Sequence, residues 1–446
     1  MTSSLVDTDD FIFHKLPIDL IFYLASNYLD YSNAINFFEV LILKSFKLQD
    51  SIKLISNYAT TYHSDRRFTL YRQQLPAQIV AGTHTSFYFS PMKGWYVWGS
   101  NPFPCNVDNA LISKPQPLRF PPQNAFSMRQ IRMIANRNCR TFFLTTVGIY
   151  MTDPQTPLQP LNFTSALMKD EKIVQIALGA NHALALSNKG KVYSWGDNTL
   201  GQLGLGDLIK SCDAFTLIPT LEDKIITNVF TGDCQSFCLT AEKEVYAFGA
   251  NMEGQLGLNS DIAKHFIPRR IRIDILSTIK VKGIASSSDH TLFLTEEGQV
   301  YSCGSNYGAK LGISTGAFRE VKSYKPILIK KLQNLVIDKI AAGKNHSLCV
   351  TATGQLYGFG SNVCDQLSSE NIKFIRAPLP LNSFADKIIT EISVGRNHAL
   401  CLDKEGNLYS FGDSTGGVLG RDACAESKEV ILKSTSLAEN PKAKIL

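Results

Sequence analysis

A pattern of about 55 residues recurs along most of this chain, and a repeat of that length constrains the fold more than any other feature. The glycine that closes each Tyr-x-x-Gly segment marks the period at Gly196, Gly249, Gly304, Gly360 and Gly412, with intervals of 53, 55, 56 and 52 residues. A unit of this size cannot bury both of its faces alone. The repeat therefore predicts an array of units that pack on one another.

Two weaker copies precede the five regular ones. One runs from Ala81 to Ser90 and closes at Gly99, and the other runs from Ile134 to Leu144 and continues to Thr152. Gly99 lies 97 residues before Gly196, about two periods, so the second weak copy fits between them. The chain therefore contains seven units.

Each unit contains short apolar runs separated by polar turns. In the third unit, His182–Leu186 and Lys191–Trp195 flank the turn Ser187–Gly190, which is typical of a β-hairpin. The runs Asp213–Pro219 and Ile225–Phe230 supply the remaining strands of four-stranded sheets. A ring of such sheets covers both faces of each one. We predict a mainly β fold, a seven-bladed β-propeller over residues 67–446.

The repeated motifs G-x-x-H-[SA]-L, G-x-[VL]-Y-x-[WF]-G and G-Q-L-G-L-G resemble the regulator of chromosome condensation repeat, a seven-bladed propeller family. The resemblance covers roughly residues 66–446. It departs in the second unit, where Tyr150–Asp153 replaces the Y-x-W-G turn and no G-Q-L-G element follows. The namesake of the family is a guanine-nucleotide exchange factor, so the resemblance also implies that activity as an alternative.

Positions shared by all units argue against catalysis. The histidine position holds Thr85, Arg140, His182, Gln235, His290, His346 and His398. Three residues later stand Tyr88, Phe143, Ala185, Cys238, Phe293, Cys349 and Cys401. We expect the histidines to hydrogen-bond backbone groups between strands or neighbouring blades, and the cysteines to be packing residues. No C-x-x-C pair is present, so we expect no catalytic residue, no metal site, no cofactor and no disulfide framework.

Residues 10–56 follow a different pattern. Leu16, Leu20, Ile21 and Leu24 share one helix face, with Pro17 in the first turn. Two further apolar stripes follow, so the segment predicts a small all-α module of three helices. Such a module is too small to be stable alone and is expected to complete its core with a partner. Residues 57–66 read as a linker to the propeller.

This segment resembles an F-box, the trihelical module that docks on the Skp-type adaptor of cullin-based ubiquitin ligases. The resemblance rests on Leu16–Asp30 with Val40 further along. It departs at Leu41–Phe46, where the family often carries two basic residues and a Trp. The residues that the resemblance assigns to adaptor binding are Leu16, Pro17, Leu20, Ile21, Leu24, Leu29, Val40 and Leu41. A helical cap packed on the propeller is the alternative.

These features predict a non-enzymatic substrate-recognition subunit of a Skp–cullin–F-box ubiquitin ligase. The propeller would bind the protein target while the F-box binds the adaptor, and tethering alone would promote ubiquitination. The alternatives are guanine-nucleotide exchange and a chromatin-associated scaffold. The resemblance implies that an exchange factor carries an inserted β-wedge in its third blade, and the ordinary interval from Gly196 to Gly249 leaves no room for one.

A basic stretch is the candidate target-binding surface. Its members are Lys264, Arg269, Arg270, Arg272, Arg319 and Lys322. If they share a rim, they would favour an acidic target; a solvated rim with no partner is the alternative. The Pro-rich segment Asn101–Gln130 either binds a partner or caps blades.

Charge and hydropathy narrow the partners and the compartment. The net charge is +6 without a basic tail, so nucleic acid is not expected as a partner. No apolar run is long enough to span a membrane, and the acidic segment Met1–Asp10 does not resemble a signal peptide. We expect the protein in the cytoplasm, the nucleus or both.

Strand-like runs at 66–80 and 429–446 predict that the two chain ends share a blade.

Overall fold

The computed structural model describes residues 77–90, 94–100, 102, 111–119, 126, 130–153, 157–164, 167, 170–271, 279–313, 321–367, 372–421 and 430–432. The predicted F-box-like module at 10–56 and the linker at 57–66 lie outside these residues, as do all eight side chains assigned to adaptor binding. No helix in the described part is long and apolar enough to cross a lipid bilayer.

The described residues form seven antiparallel sheets, each made of four strands that follow one another in the chain. Blade 1 contains β1 (Gln78–Ala81), β2 (Thr85–Ser90), β3 (Gly94–Gly99) and β4 (Ile112–Pro117), and blade 2 contains β5 (Ile131–Arg137), β6 (Arg140–Thr145), β7 (Ile149–Thr152) and β8 (Gln159–Leu161). Blade 3 contains β9 (Ile173–Leu178), β10 (His182–Ser187), β11 (Val192–Asp197) and β12 (Ser211–Leu217). Blade 4 contains β13 (Ile226–Thr231), β14 (Gln235–Thr240), β15 (Val245–Ala250) and β16 (Lys264–Arg270).

Blades 5 to 7 continue the same order. Blade 5 contains β17 (Val281–Ser286), β18 (His290–Thr295), β19 (Val300–Ser305) and β20 (Lys322–Leu328). Blade 6 contains β21 (Ile337–Ala342), β22 (His346–Thr351), β23 (Leu356–Ser361) and β24 (Phe374–Pro380). Blade 7 contains β25 (Ile389–Val394), β26 (His398–Asp403), β27 (Leu408–Gly412) and β28 (Val430–Leu432). Short 3₁₀ turns lie at Pro219–Leu221, Tyr307–Ala309, Lys330–Leu332, Asn382–Phe384 and Thr415–Gly417. The prediction of a mainly β, seven-bladed propeller is confirmed.

The hydrophobic core lies between blades rather than within them. Leu184 and Val192 of blade 3 pack with Val229 and Phe248 of blade 4 in one buried cluster. Each second strand has a sheet neighbour on both sides and another blade on both faces. In six blades every residue of that strand is accordingly buried. An isolated blade would expose both of its apolar faces, so the blades must fold as a ring.

The first strands of the blades contact one another in order around a central channel, and β1 contacts β25. The prediction that the two chain ends share a blade is wrong, because β1 pairs within blade 1 and β28 pairs within blade 7. The reason lies in the Pro-rich segment. It supplies β4 as the outer strand of blade 1, which leaves no strand position there for the C-terminal tail.

The Pro-rich segment also packs on blade 2. Phe126 is buried against Tyr150 and Phe143, with ring centres 4.4 and 6.2 Å apart. In the described residues this segment therefore completes and covers two blades, which is the capping alternative stated above.

Side chains and backbone join blade 7 to blade 1. The Trp98 indole N–H and the Ser86 hydroxyl both donate to the carbonyl of Val418, at 2.7 and 3.0 Å. The Ala81 amide donates to the Ser393 hydroxyl at 2.8 Å. Closure of the ring thus depends on buried hydrogen bonds and packing between complete blades.

We expect Trp98→Phe to destabilise the propeller by about 1–2 kcal/mol, because it removes a buried donor at the closure while keeping an aromatic ring. Amide hydrogen exchange should become faster in β1 and β25. The matched control is Trp195→Phe, which removes an indole bond to the Asp213 carbonyl inside blade 3 (3.0 Å). Faster exchange in β1 and β25 in both variants would contradict this account of closure.

Candidate functional site

The propeller has two faces with different chemistry. The face that we call the histidine face carries the turns between the first and second strands of each blade and the loops that follow the third strands. The opposite face, the turn face, carries the hairpins between the second and third strands. The repeat motifs G-x-x-H and G-Q-L-G both lie at the histidine face.

Three of the repeated histidines form the same bond to the next blade. Their Nε2 atoms lie 3.0, 3.0 and 3.1 Å from the Oγ atoms of the partner serines, in the pairs His182–Ser236, His290–Ser347 and His398–Ser86. Each serine hydroxyl also donates to a loop carbonyl of the preceding blade, those of Gln202, Lys310 and Val418. The histidine Nε2–H therefore donates and the serine accepts. The predicted bonds between neighbouring blades are thus present in these three pairs, but the partner is a serine hydroxyl and not the predicted backbone group.

Burial keeps these imidazoles neutral. It lowers the pKa of His182 and of His398 to about 4, so neither carries a charge at neutral pH. The glycine three residues earlier makes room for the ring, since a Cβ on Gly179 would overlap the imidazole of His182. The G-x-x-H motif is thus explained by packing rather than by proton transfer.

A cluster between blades 5 and 6 resembles a catalytic triad. Ser347 Oγ lies 3.0 Å from His290, whose Nδ1 lies 4.0 Å from Asp289, and Lys310 Nζ lies 2.8 Å from the same carboxylate. Ser347, His290 and Lys310 are all buried, and the Nδ1 distance is too long for a hydrogen bond. The same Ser–His bond occurs at two other blade interfaces, where Asn181 and Asn397 stand in the position of Asp289. We therefore assign this cluster to inter-blade packing.

His346 is the exception among the repeated histidines. It is fully buried, neither ring nitrogen has a hydrogen-bond partner, and burial lowers its pKa to about 3. The cause is local: the next blade has Ala399 where the other partner blades have serine. The interface between blades 6 and 7 thus lacks one bond that the repeat makes elsewhere.

The repeated cysteines occupy packing positions, as predicted. Cys238, Cys349 and Cys401 have no exposed surface, and burial raises the pKa of each thiol. A thiol that stays protonated is a poor nucleophile and metal ligand.

The predicted basic surface divides between the two faces. Lys264 begins β16 at the histidine face, whereas Arg269 and Arg270 end it at the turn face, about 20 Å away at 3.3 Å per residue. Arg270 forms an ion pair with Glu244 of the adjacent hairpin at 2.9 Å. The structure therefore separates these residues instead of gathering them at one rim.

Lys322 lies one blade further on, in the position equivalent to Lys264. Its ammonium group is 2.8 Å from Glu253, and that of Lys264 lies 5.5 Å from the centre of the Phe266 ring. Arg272 and Arg319 lie outside the described residues. A target-binding role for the basic stretch stays a prediction; of its described members, Lys264 and Lys322 lie on the histidine face.

Sequence reasoning missed an apolar row on the same face. Met252, Tyr307 and Val363 follow equivalent asparagines in blades 4, 5 and 6, and are 52%, 58% and 62% exposed. Blade 6 adds Phe374, 43% exposed, at the start of its outer strand. The signal was available, since three consecutive repeats carry a large apolar residue directly after the asparagine of the loop.

Sequence reasoning also missed the mouth of the central channel. A cavity of about 360 Å³ opens there and is lined by residues from all seven blades. Its charged lining residues are Arg137, Asp233, Lys344 and Arg396. The histidine face therefore combines a polar central cavity with an outer apolar row.

Comparison with known proteins places the fold in one family. The family model described as the RCC1-like domain matches residues 147–445. Ultraviolet-B receptor UVR8 of Arabidopsis thaliana is 31% identical over 252 residues, which cover 56% of this chain and 55% of that protein. Probable E3 ubiquitin-protein ligase HERC6 of Homo sapiens is 32% identical over 238 residues, covering 53% of this chain and 23% of that protein. The match thus spans about half of the first relative and a quarter of the second.

A solved structure gives the same fold. The crystal structure of Prp20p from Saccharomyces cerevisiae, which was studied together with its binding to Gsp1p and histones, has a TM-score of 0.59 and 19% identity. The match covers 74% of this chain and 82% of that one. At this identity the likeness concerns the fold alone.

We expect Ala399→Ser to stabilise the propeller by about 1 kcal/mol. The new hydroxyl would accept a hydrogen bond from the unpartnered ring N–H of His346 and donate one to the adjacent loop. The melting temperature should rise. The control is Ala183→Ser, an equally buried position that faces Arg140 of blade 2 instead of a histidine. An equal rise in both variants, or no rise in Ala399→Ser, would contradict the assigned bond.

Proposed function

The chain belongs to the RCC1-like domain family, and from that premise we propose that it is the substrate-recognition subunit of a Skp–cullin–F-box ubiquitin ligase. The proposal is carried by one combination in a single chain: an F-box-like opening, Leu16-Pro17, ahead of a closed propeller whose histidine face has the chemistry of a protein-binding surface. In this role the chain works where such ligases work, in the cytoplasm or the nucleus, and marks its target for degradation.

The adaptor half of the proposal rests on the sequence. Leu16, Leu20, Ile21 and Leu24 are predicted from their spacing to form an apolar stripe, on a module too small to bury it internally. Large apolar anchors of this kind supply most of the affinity in helix-in-groove contacts. We assign them, with Pro17, Leu29, Val40 and Leu41, to the Skp-type adaptor.

The target half rests on the exposed row of the histidine face. Met252, Tyr307 and Val363 occupy equivalent positions of adjacent blades, so three neighbouring blades each present a large exposed apolar side chain on this face. Exposed apolar side chains surrounded by polar groups are typical of protein-interaction surfaces. Lys264 and Lys322 at the rim of the same face would add electrostatic steering toward an acidic target.

No bond chemistry is required of this chain. Holding the target beside a conjugating enzyme raises its effective concentration there, and that increase is the whole contribution of a receptor subunit. The similarity to HERC6, a probable E3 ubiquitin-protein ligase, covers only 23% of that protein. It supports a role of this chain in ubiquitin transfer.

Guanine-nucleotide exchange is the second candidate. It is favoured by the fold shared with Prp20p, which was studied for binding to Gsp1p. Against it, blades 3 and 4 are fully described from 170 to 271, and each contains four strands without the inserted β-wedge that the exchange activity implies. An exchange assay with labelled nucleotide separates the two candidates, and we expect no acceleration.

We expect Leu16→Ala with Pro17→Ala to abolish co-purification of the Skp-type adaptor, because it removes two apolar anchors of the docking stripe. The melting temperature of the propeller should not change. The control is Leu208→Ala on blade 3, a leucine that is 92% exposed. Adaptor recovery that is unchanged in the double variant would refute the F-box assignment.

We expect Tyr307→Ala with Val363→Ala to reduce the yield of ubiquitinated proteins that co-purify with the chain, while adaptor recovery stays unchanged. The matched control is Ile225→Ala with Val336→Ala, which removes side chains that are 61% and 59% exposed on the turn face. Quantitative mass spectrometry of the captured proteins measures both variants. A loss confined to the control would assign target binding to the turn face.

A further inference from the structure

The mouth of the central channel carries positive charge that the ring leaves uncompensated. Its cavity of about 360 Å³ has four charged lining residues, Arg137, Asp233, Lys344 and Arg396. Arg137 donates to Asp233 through Nε and approaches it through a second nitrogen, at 2.8 and 2.7 Å, so these two charges neutralise each other. Two cations remain on the side formed by blades 6 and 7.

The fold places these two cations on neighbouring turns. Lys344 and Arg396 each follow the repeat glycine of their blade, and the Lys344 amide donates to the Arg396 carbonyl at 3.0 Å. Within the described residues neither side chain forms an ion pair. Burial is the main cause that lowers the pKa of Lys310, and the charge of Lys344 adds to that lowering, so the positive field reaches below the mouth.

The first strands show the opposite arrangement farther from the mouth. Lys339 of β21 pairs with Glu391 of β25 at 2.9 Å, and Lys282 of β17 pairs with Asp338 of β21 at 3.1 Å. At these positions adjacent first strands therefore match a cation with an anion. At the mouth they juxtapose two cations, an arrangement that is favourable only when an anion is supplied.

Two acids outside the lining are engaged elsewhere and do not supply this anion. Asp289, which follows Ser288, pairs with Lys310 at 2.8 Å, and the carboxylate of Asp413 accepts bonds from the amide and hydroxyl of Thr415. The rest of the cavity offers neutral polar side chains, among them Thr83, Asn138 and Ser288. The size and the lining suit one or two side chains of a partner, and groups of this kind hydrogen-bond an anion's oxygens.

We infer that the channel mouth binds an acidic segment of a protein partner, with Lys344 and Arg396 contacting its carboxylate or phosphate oxygens. The inference rests on the proposed role of the histidine face in target binding and names the class of target. It moves the recognition of acidic groups from the predicted rim lysines to the centre of the face, where the cavity walls partly exclude water and strengthen each charge contact.

The test uses the full chain and three fluorescein-labelled peptides of one Gly/Ser-rich sequence, differing only at two central positions. These carry two glutamates, two phosphoserines or two glutamines, and binding is measured by fluorescence anisotropy. Both acidic peptides should bind, with affinity falling as salt rises, and the glutamine peptide should not bind. The ratio of the two acidic affinities identifies the source: a phosphoserine advantage of about tenfold or more assigns the site to phosphorylated segments, and near-equality to carboxylates.

Lys344→Gln with Arg396→Gln should weaken acidic-peptide binding by about tenfold or more. The matched control is Lys331→Gln with Lys404→Gln, which removes the same charge from exposed positions of the turn face and should leave binding unchanged. Single variants and thermal melts verify that the loss follows the charges and not unfolding. Equal binding by the parent chain and the double variant, or equal binding of the glutamine peptide, overturns the inference.

This assay contains no adaptor, so its outcome is independent of adaptor capture. Peptide binding without adaptor capture would leave the acidic site standing and remove the ligase role. Adaptor capture without peptide binding would leave the ligase role standing and remove the acidic site.

Discussion

The hydrogen-bonded contact between one blade and the next is the interaction on which the rest of this structure depends. A blade has two apolar faces and no core of its own, so its strands are stable only when both neighbours are in place. In three interfaces a serine accepts a hydrogen bond from the histidine of the preceding blade and donates one to a loop carbonyl of that blade. These bonds satisfy an imidazole N–H and a carbonyl that the packing of the blades has buried. Hydrophobic contact supplies the attraction, and these bonds set the orientation of each sheet.

That contact also determines how the ring can close. Because blade 1 has its own outer strand, closure must use the contacts that join any two blades, and it does so through Ser86, Trp98 and Val418. Where the pattern is incomplete, the structure shows the consequence. His346 is buried opposite Ala399 and has no partner, so that interface keeps its apolar packing and loses one polar bond.

The sequence predicts the fold correctly wherever the role of a residue follows from its position in the repeat. Blade number, hairpins and the structural roles of His182 and Cys238 follow from comparing copies within the chain. It was not sufficient where the answer depends on distance through space. Lys264 and Arg270 are six positions apart but lie on opposite faces because a strand is extended, whereas Lys344 and Arg396 are far apart in sequence and adjacent in the ring. The closure prediction failed because the Pro-rich segment did not look like the strand that it contributes.

Repeat positions therefore divide into those that hold the ring together and those that are free to carry recognition. The position after the repeat glycine holds Thr83, Asn138, Ala180, Asp233, Ser288, Lys344 and Arg396, seven different residue types. Thr83 accepts a hydrogen bond from the Asn138 amide and Asp233 pairs with Arg137, whereas Lys344 and Arg396 form no ion pair within the described residues. Lys344 is partly exposed and Arg396 is exposed, so water screens their repulsion and the ring tolerates it. A bound anion would be shielded by the cavity walls and would meet both charges at once. The repulsion between the two cations thus destabilises the free protein little, and both charges contribute most to binding when a partner excludes the solvent.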